Sequence, residues 1–224
     1  MENLGKGDWS DPERVKHFVQ TYQQRYGDLF WDVVIELSGS GTRDAIADFG
    51  CGPGIWLADA ATRFSASKVY GLDESETMLN QAKEILGKEL SSEDVQLDIV
   101  NLDTEPININ PNSLDLAFSG YLLHELANPN DFISQLSTCL KEKGVCIVFD
   151  FVSTNVELFI KTMKQVGWDE ERARKRYPHM CKHSLGEIEG ILQSAGFTNI
   201  SSKLLDVRAI VLGVNYPVLK DGVS

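Results

Sequence analysis

At 224 residues and 24.9 kDa, the chain is long enough for one α/β domain with a complete apolar core, and too short for two of ordinary size. A net charge of -12 and a pI near 4.8 repel a phosphate backbone, which excludes nucleic acid as the expected partner. No apolar run approaches a membrane span, the start Met1 to Asp8 lacks a signal-type core, and Cys51, Cys139, Cys146 and Cys181 show no C-x-x-C, so a cytoplasmic protein with reduced thiols is expected.

Residues 1–10 carry no periodic pattern. Ser10 to Glu13 then reads as a helix start with Pro12 in the first turn, and Val15, Phe18, Val19 and Tyr22 follow at helical spacing. A second helix runs from Leu29 to Leu37 and stops at Gly39-Ser40-Gly41. Both precede the first strand, Ala45 to Phe49, which enters a turn with glycines at 50, 52 and 54 and then a helix from Ile55 to Phe64. Glycine takes positive φ without strain and lets a ligand lie against bare main chain at a strand's carboxyl end. Ile55 occupies the third-glycine place of G-x-G-x-x-G, which argues against a nicotinamide dinucleotide.

Lys68 to Asp73 is a second strand ending in an acid. Asp73 fits two readings, an acceptor for ribose hydroxyls or a cap for the helix from Glu76 to Leu86. Val95 to Val100 is a third strand, leading into Asn101-Leu102-Asp103-Thr104-Glu105-Pro106, and a fourth ends at Phe118. A helix from Asn130 to Leu140, closed by Gly144, precedes the apolar strand Val145 to Phe151. Residues 153–183 fall outside the strand–helix alternation, with helices expected over Val156 to Val166 and Asp169 to Arg176. From Lys161 to Lys182 seven Lys or Arg stand against three acids, a solvated surface or a landing place for an anion. A helix from Leu185 to Ala195 and a hairpin of Ile200 to Leu205 and Ala209 to Val214 end the chain.

The run Asp48-x-Gly50-x-Gly52-x-Gly54 resembles motif I of the class I S-adenosylmethionine-dependent methyltransferases, and the agreement continues through Asp73, the strand at Phe118 and the closing Ala195-Gly196-Phe197. The resemblance implies a Rossmann-like, seven-stranded, mostly parallel sheet with the last strand antiparallel and helices on both faces. It divides the chain into amino-terminal helices (1–44) contributing to a substrate pocket and a methyltransferase domain (45–224) with a cap at 153–183. It also implies S-adenosyl-L-methionine as cofactor and S-adenosyl-L-homocysteine as product. Asp48, Gly50, Gly52 and Gly54 would seat its methionine end and Asp73 its ribose. Asn101 and Leu102 would read the adenine, with Asp98 and Asp103 as competing choices, and Ser119 would lie near the methyl.

The reaction expected is in-line methyl transfer to an oxygen or nitrogen of a small molecule, with an anionic acceptor suggested by the basic cap. The absence of Asn-Pro-Pro-Tyr and Pro-Cys after Phe118 argues against methylation of adenine or glutamine amino groups and of cytosine carbon. His124 and His183 are candidate bases, beside Glu125 and His179, and Tyr22, Tyr121, His124 and His179 are candidate acceptor contacts. His179, Cys181 and His183 alternate as metal ligands do, yet offer no fourth partner, so no metal is expected. The other readings are a protein that binds the cofactor without transferring methyl, and a nicotinamide-dependent oxidoreductase.

Overall fold

The computed structural model describes residues 12–216; the expected cap residues Ser10 and Asp11 lie outside them. Seven strands form one sheet: β1 (Ala45–Phe49), β2 (Lys68–Asp73), β3 (Val95–Ile99), β4 (Leu114–Gly120), β5 (Leu140–Phe151), β6 (Phe197–Leu205) and β7 (Arg208–Asn215). Their spatial order is β3-β2-β1-β4-β5-β7-β6. The first five pair in parallel, and β7 runs antiparallel to both β5 and β6. The helices are α1 (Pro12–Gln20), α2 (Tyr22–Arg25), α3 (Asp28–Ser38), α4 (Ile55–Phe64), α5 (Glu76–Leu86), α6 (Pro129–Cys139), α7 (Val156–Gln165), α8 (Glu170–Met180) and α9 (Leu185–Ser194). No helix among the described residues is long and apolar enough to cross a membrane.

All five residues of β1 are buried, because helices cover both faces of the sheet. Strand periodicity divides them: Ala45, Ala47 and Phe49 pack with α6 and α9, while Ile46 packs with α3, α4 and α5. A third cluster, built on Phe151, Phe159, Ile160, Met163 and Ala173, is the core of the α7–α8 cap. The chain winds outward from β1 through β2 to β3 and then returns to place β4 on the other side of β1. That reversal opens a crevice at the carboxyl ends of β1 and β4, the place where open α/β sheets bind ligands.

Three boundaries differ from expectation. Helix α6 stops at Cys139 and β5 begins at once. Lys141 to Gly144 form an irregularity where the register shifts between Leu114 and Leu116, so Gly144 belongs to the strand and does not end the helix. Strand β6 begins at Phe197, with its own shift between Thr198 and Ser201 around Asn199 at φ 47°. Helix α8 continues through Pro178 to Met180, closed by the Cys181 amide donating to the Tyr177 carbonyl at 2.9 Å. The proline forfeits one intrahelical bond and leaves the turn intact, which puts His179 on a helix where an extended run was expected.

Candidate active site

The glycine turn divides its labour. Gly50, Gly52 and Gly54 all have positive φ (76°, 52° and 74°), and the amides of Gly50 and Cys51 donate to the Leu72 carbonyl, folding the turn over the end of β2. Gly50 and Gly52 border a cavity of about 170 Å³ at the switch point. Gly54 is not on the cavity wall: a Cβ there would stand 2.8 Å from the Cβ of Ala82, so this glycine lets α4 pack against α5.

Asp73 ties the turn to β2, its Oδ2 accepting from the Gly52 amide at 2.8 Å and its Oδ1 from the Ser75 amide at 2.9 Å. The cap of α5 is Ser75, whose Oγ accepts from the Met78 amide, so of the two readings of Asp73 the cavity-facing one matches its position. Burial raises its pKa in spite of those donors. Asp48, 3% exposed and also on the cavity wall, is pushed well above the usual carboxylate range by burial and then by the Asp73 charge.

On the β2–β3 side the wall is apolar, from Met78, Val100 and Leu102, with Asp103 beside them. Asn101 is not part of it. Its Oδ1 accepts from the Asp103 amide and its own amide donates to Glu105, so the side chain shapes the loop. Asp98 lies on β3 bonded to Gln96, which leaves Leu102 and Asp103 as the loop residues that face the cavity. Ser119 is fully buried within β4 between Phe49 and Val148, away from the cavity, and its Oγ has no hydrogen-bond partner. Gly120, the next residue, is the one on the cavity wall.

The β4 side combines the amino-terminal helices with the turn after β4. Phe18, Tyr22, Arg25 and Tyr26 reach it from α1, α2 and the residue after α2, while Tyr121, Leu122 and Glu125 reach it from the turn. Tyr22 donates to Asp59 Oδ2 at 2.8 Å. Tyr121 holds φ 56°, a left-handed conformation costing a non-glycine residue about 1 kcal/mol or more, and its hydroxyl accepts from Arg208 Nη1 at 3.0 Å. Arg25 stacks over the Phe18 ring at 3.6 Å and donates to Thr21 Oγ1 and the Phe18 carbonyl. Its Nε is buried with no hydrogen-bond partner, and among the described residues no carboxylate pairs with it. Burial lowers its pKa, yet a guanidinium keeps its proton.

His124 stands behind the wall, 5% exposed. Its Nδ1 lies 2.6 Å from Asp150 Oδ1, its amide donates to Asp150 Oδ2, and its Nε2 lies 3.3 Å from Glu125 Oε1. Burial alone would lower the His124 pKa, but Asp150 and then Glu125 outweigh it and push it up to about 9. The side chain on the cavity is Glu125. Burial acting alone would raise the Glu125 pKa, but His124 and His179 bring it down.

No residue of the cap lines the cavity among the described ones, His179 and His183 included. His179 touches it only through Glu125 (Nε2 to Oε2, 3.0 Å), and Lys182 ties the cap to the turn through the Leu126 carbonyl at 2.7 Å. Arg174 is engaged with Glu157 and Glu170. His183 has a buried Nε2 without a partner, its pKa lowered by burial and Lys182, and Cys181 packs into the cap core, so the 179–183 run converges on no common point. Arg25 and Glu125 were thus the residues sequence reasoning undervalued. Arg25 had only its place in an amphipathic helix as a signal, and Glu125 was overshadowed by the histidine beside it.

Residues 47–148, which contain the glycine turn, Asp73 and the turn after β4, match the methyltransferase-domain family. Among curated proteins the chain is similar to the trans-aconitate 2-methyltransferase of Escherichia coli O157:H7, 28% identical over 192 residues that cover 84% of this chain and 68% of that one. The fold is shared with an S-adenosylmethionine-dependent methyltransferase from Aquifex aeolicus (TM-score 0.66, 21% identity, 92% of this chain and 98% of that one). It is shared as well with the cyclase SpnF (TM-score 0.65, 17% identity, 86% and 82%), a reminder that the fold by itself does not fix the chemistry.

The cavity suits S-adenosylmethionine. Gly50 and Gly52 leave main chain bare where Cβ atoms would project, Asp73 and Asp48 place acids at the strand ends, and Val100, Leu102 and Met78 offer an apolar slot to a flat base.

Proposed function

We propose that the chain is a class I S-adenosylmethionine-dependent methyltransferase that acts on an oxygen of a small carboxylic acid. The observation that carries the reading is Arg25, a half-buried guanidinium on the cavity wall whose buried Nε is unpartnered and which pairs with no carboxylate among the described residues. A planar carboxylate is the natural complement of that fork of donors. The relative named for trans-aconitate methylation, itself a carboxylic acid, supports the same class.

When bound, S-adenosylmethionine supplies an electrophilic methyl carbon on a sulfonium. What remains for the protein is alignment and exclusion of water. Arg25 and the Arg208–Tyr121 pair would orient the acid, and the ring cluster of Tyr26, Phe30, Phe118 and Phe149 keeps the neighbouring wall dry. A carboxylate arrives already deprotonated, so the reaction needs no base. Glu125 on the same side of the cavity favours an acceptor whose charge is concentrated at the Arg25 end.

Incubation with methyl-labelled cofactor and matched panels of di- and tricarboxylic acids, phenols and amines tests the proposal. Label is expected in base-labile methyl esters. Replacing Arg25 by Met should raise the acceptor KM by about 100-fold while cofactor affinity holds. Label found on amines or phenols, or an Arg25→Met variant with unchanged acceptor KM, overturns it.

A further inference from the structure

We propose that His124, Glu125 and His179 form a binding site for one divalent transition-metal ion, zinc first among them, at the edge of the cavity. Among the described residues these three side chains bring one donor atom each within 4.8 Å of one another. Two imidazole Nε2 atoms flank a single carboxylate, His124 at 3.3 Å from Oε1 and His179 at 3.0 Å from Oε2. With metal–ligand bonds of about 2.0–2.2 Å, neighbouring donors of a tetrahedral site stand about 3.4 Å apart. The two nitrogen–oxygen separations are close to that edge, and a bound ion would draw the rest of the set inward from its 4.8 Å span and displace any proton on the ligating nitrogens.

The surroundings are those of a built site. Asp150, 1% exposed, is held by the Phe151 amide at 2.7 Å and accepts from both the amide and the Nδ1 of His124. A carboxylate on one ring nitrogen orients the imidazole and directs the other nitrogen to a metal, the usual support of a ligating histidine. Two imidazoles and one carboxylate suit zinc and its first-row neighbours better than magnesium or calcium, which favour oxygen alone. Glu125 lies on the cavity wall, so three protein ligands would leave a further position facing the cavity, where an oxygen of a bound acid can enter. The ligands come from the turn after β4 and from α8, and the ion would pin the cap to the core at the point where His179 meets Glu125.

Metal binding is read without cofactor or acceptor, which separates this proposal from the choice of methyl acceptor. Full-length protein is stripped with a chelator, titrated with zinc and with cobalt, and assayed for bound metal and for the visible cobalt spectrum. One ion per chain is expected, with a cobalt spectrum of nitrogen and oxygen ligation. His179→Ala, at a partly exposed helical position where folding should survive, should weaken binding about 100-fold and abolish the spectrum. Asp150→Asn should weaken it about 10- to 100-fold, the effect of losing a ligand's supporting carboxylate, and His183→Ala should leave it unchanged. Substoichiometric zinc in the stripped and reloaded protein, or undiminished binding in a folded His179→Ala chain, overturns the site.

Discussion

From Asp48 to Asp73 one continuous stretch of chain supplies the glycine turn, the strand ends and the two acids on the cofactor side of the cavity. The opposite side draws Arg25 from α2, Tyr121 and Glu125 from the turn after β4, and, behind them, Asp150 from β5 and His179 from α8. The contrast teaches where specificity is stored. A cofactor common to a whole family can be held by a local strand–turn–helix unit, whereas an acceptor particular to one enzyme is met by side chains that only the completed fold assembles.

The contrast can be broken first at Gly52. Its φ of 52° is strained for a β-branched residue, and a side chain there projects into the cavity with Phe18 as nearest neighbour at 3.8 Å. Gly52→Val should lower cofactor affinity by about 100-fold by titration calorimetry, with circular dichroism unchanged. Unchanged affinity would show that the turn does not hold the cofactor.

Gly54, two residues on, should behave otherwise. Gly54→Ala sets a Cβ against Ala82 at positive φ and should cost about 2 kcal/mol in urea unfolding, with cofactor affinity of the folded fraction within a few-fold of wild type. A variant that keeps its stability and loses binding would reverse the division of labour between the two glycines.

The smallest change is expected at Asp48. Its folded pKa is raised by burial and the Asp73 charge, while in the unfolded chain it titrates near about 3.9. The folded state therefore holds the proton more tightly, and stability is lost as pH rises from the unfolded value through the folded one. Asp48→Asn removes that loss. Its thermal midpoint should match or exceed the wild-type midpoint by a margin that widens between pH 4 and pH 8, and parallel curves would sink the argument.

Most of the fold could be read in advance because its signals are local. Alternation placed β1, β2 and β4, the Gly39-Ser40-Gly41 linker separated the first helices from the sheet, and Asp73 stood where a second strand should end. Two of the misplacements share a cause as well. Gly144 looked like a helix stop but fills a strand irregularity, the helix expected to end at Arg176 runs on through Pro178 to Met180, and the Asn101 side chain bonds its own loop. At Gly144 and Asn101 a residue type with a strong local preference found its partners in the surrounding strand or loop.

The residues alone, through periodicity and glycine spacing, specified an α/β sheet and a turn fit for S-adenosylmethionine, since those depend on neighbours within a few positions. Only the folded chain decided that Gly54 packs helices and Gly52 faces the cavity, that Arg25 meets no carboxylate among the described residues, and that His124 is locked between Asp150 and Glu125 with His179 brought alongside. Those are distances between groups far apart in the chain, and burial gives them their energy, so no short stretch of sequence can state them.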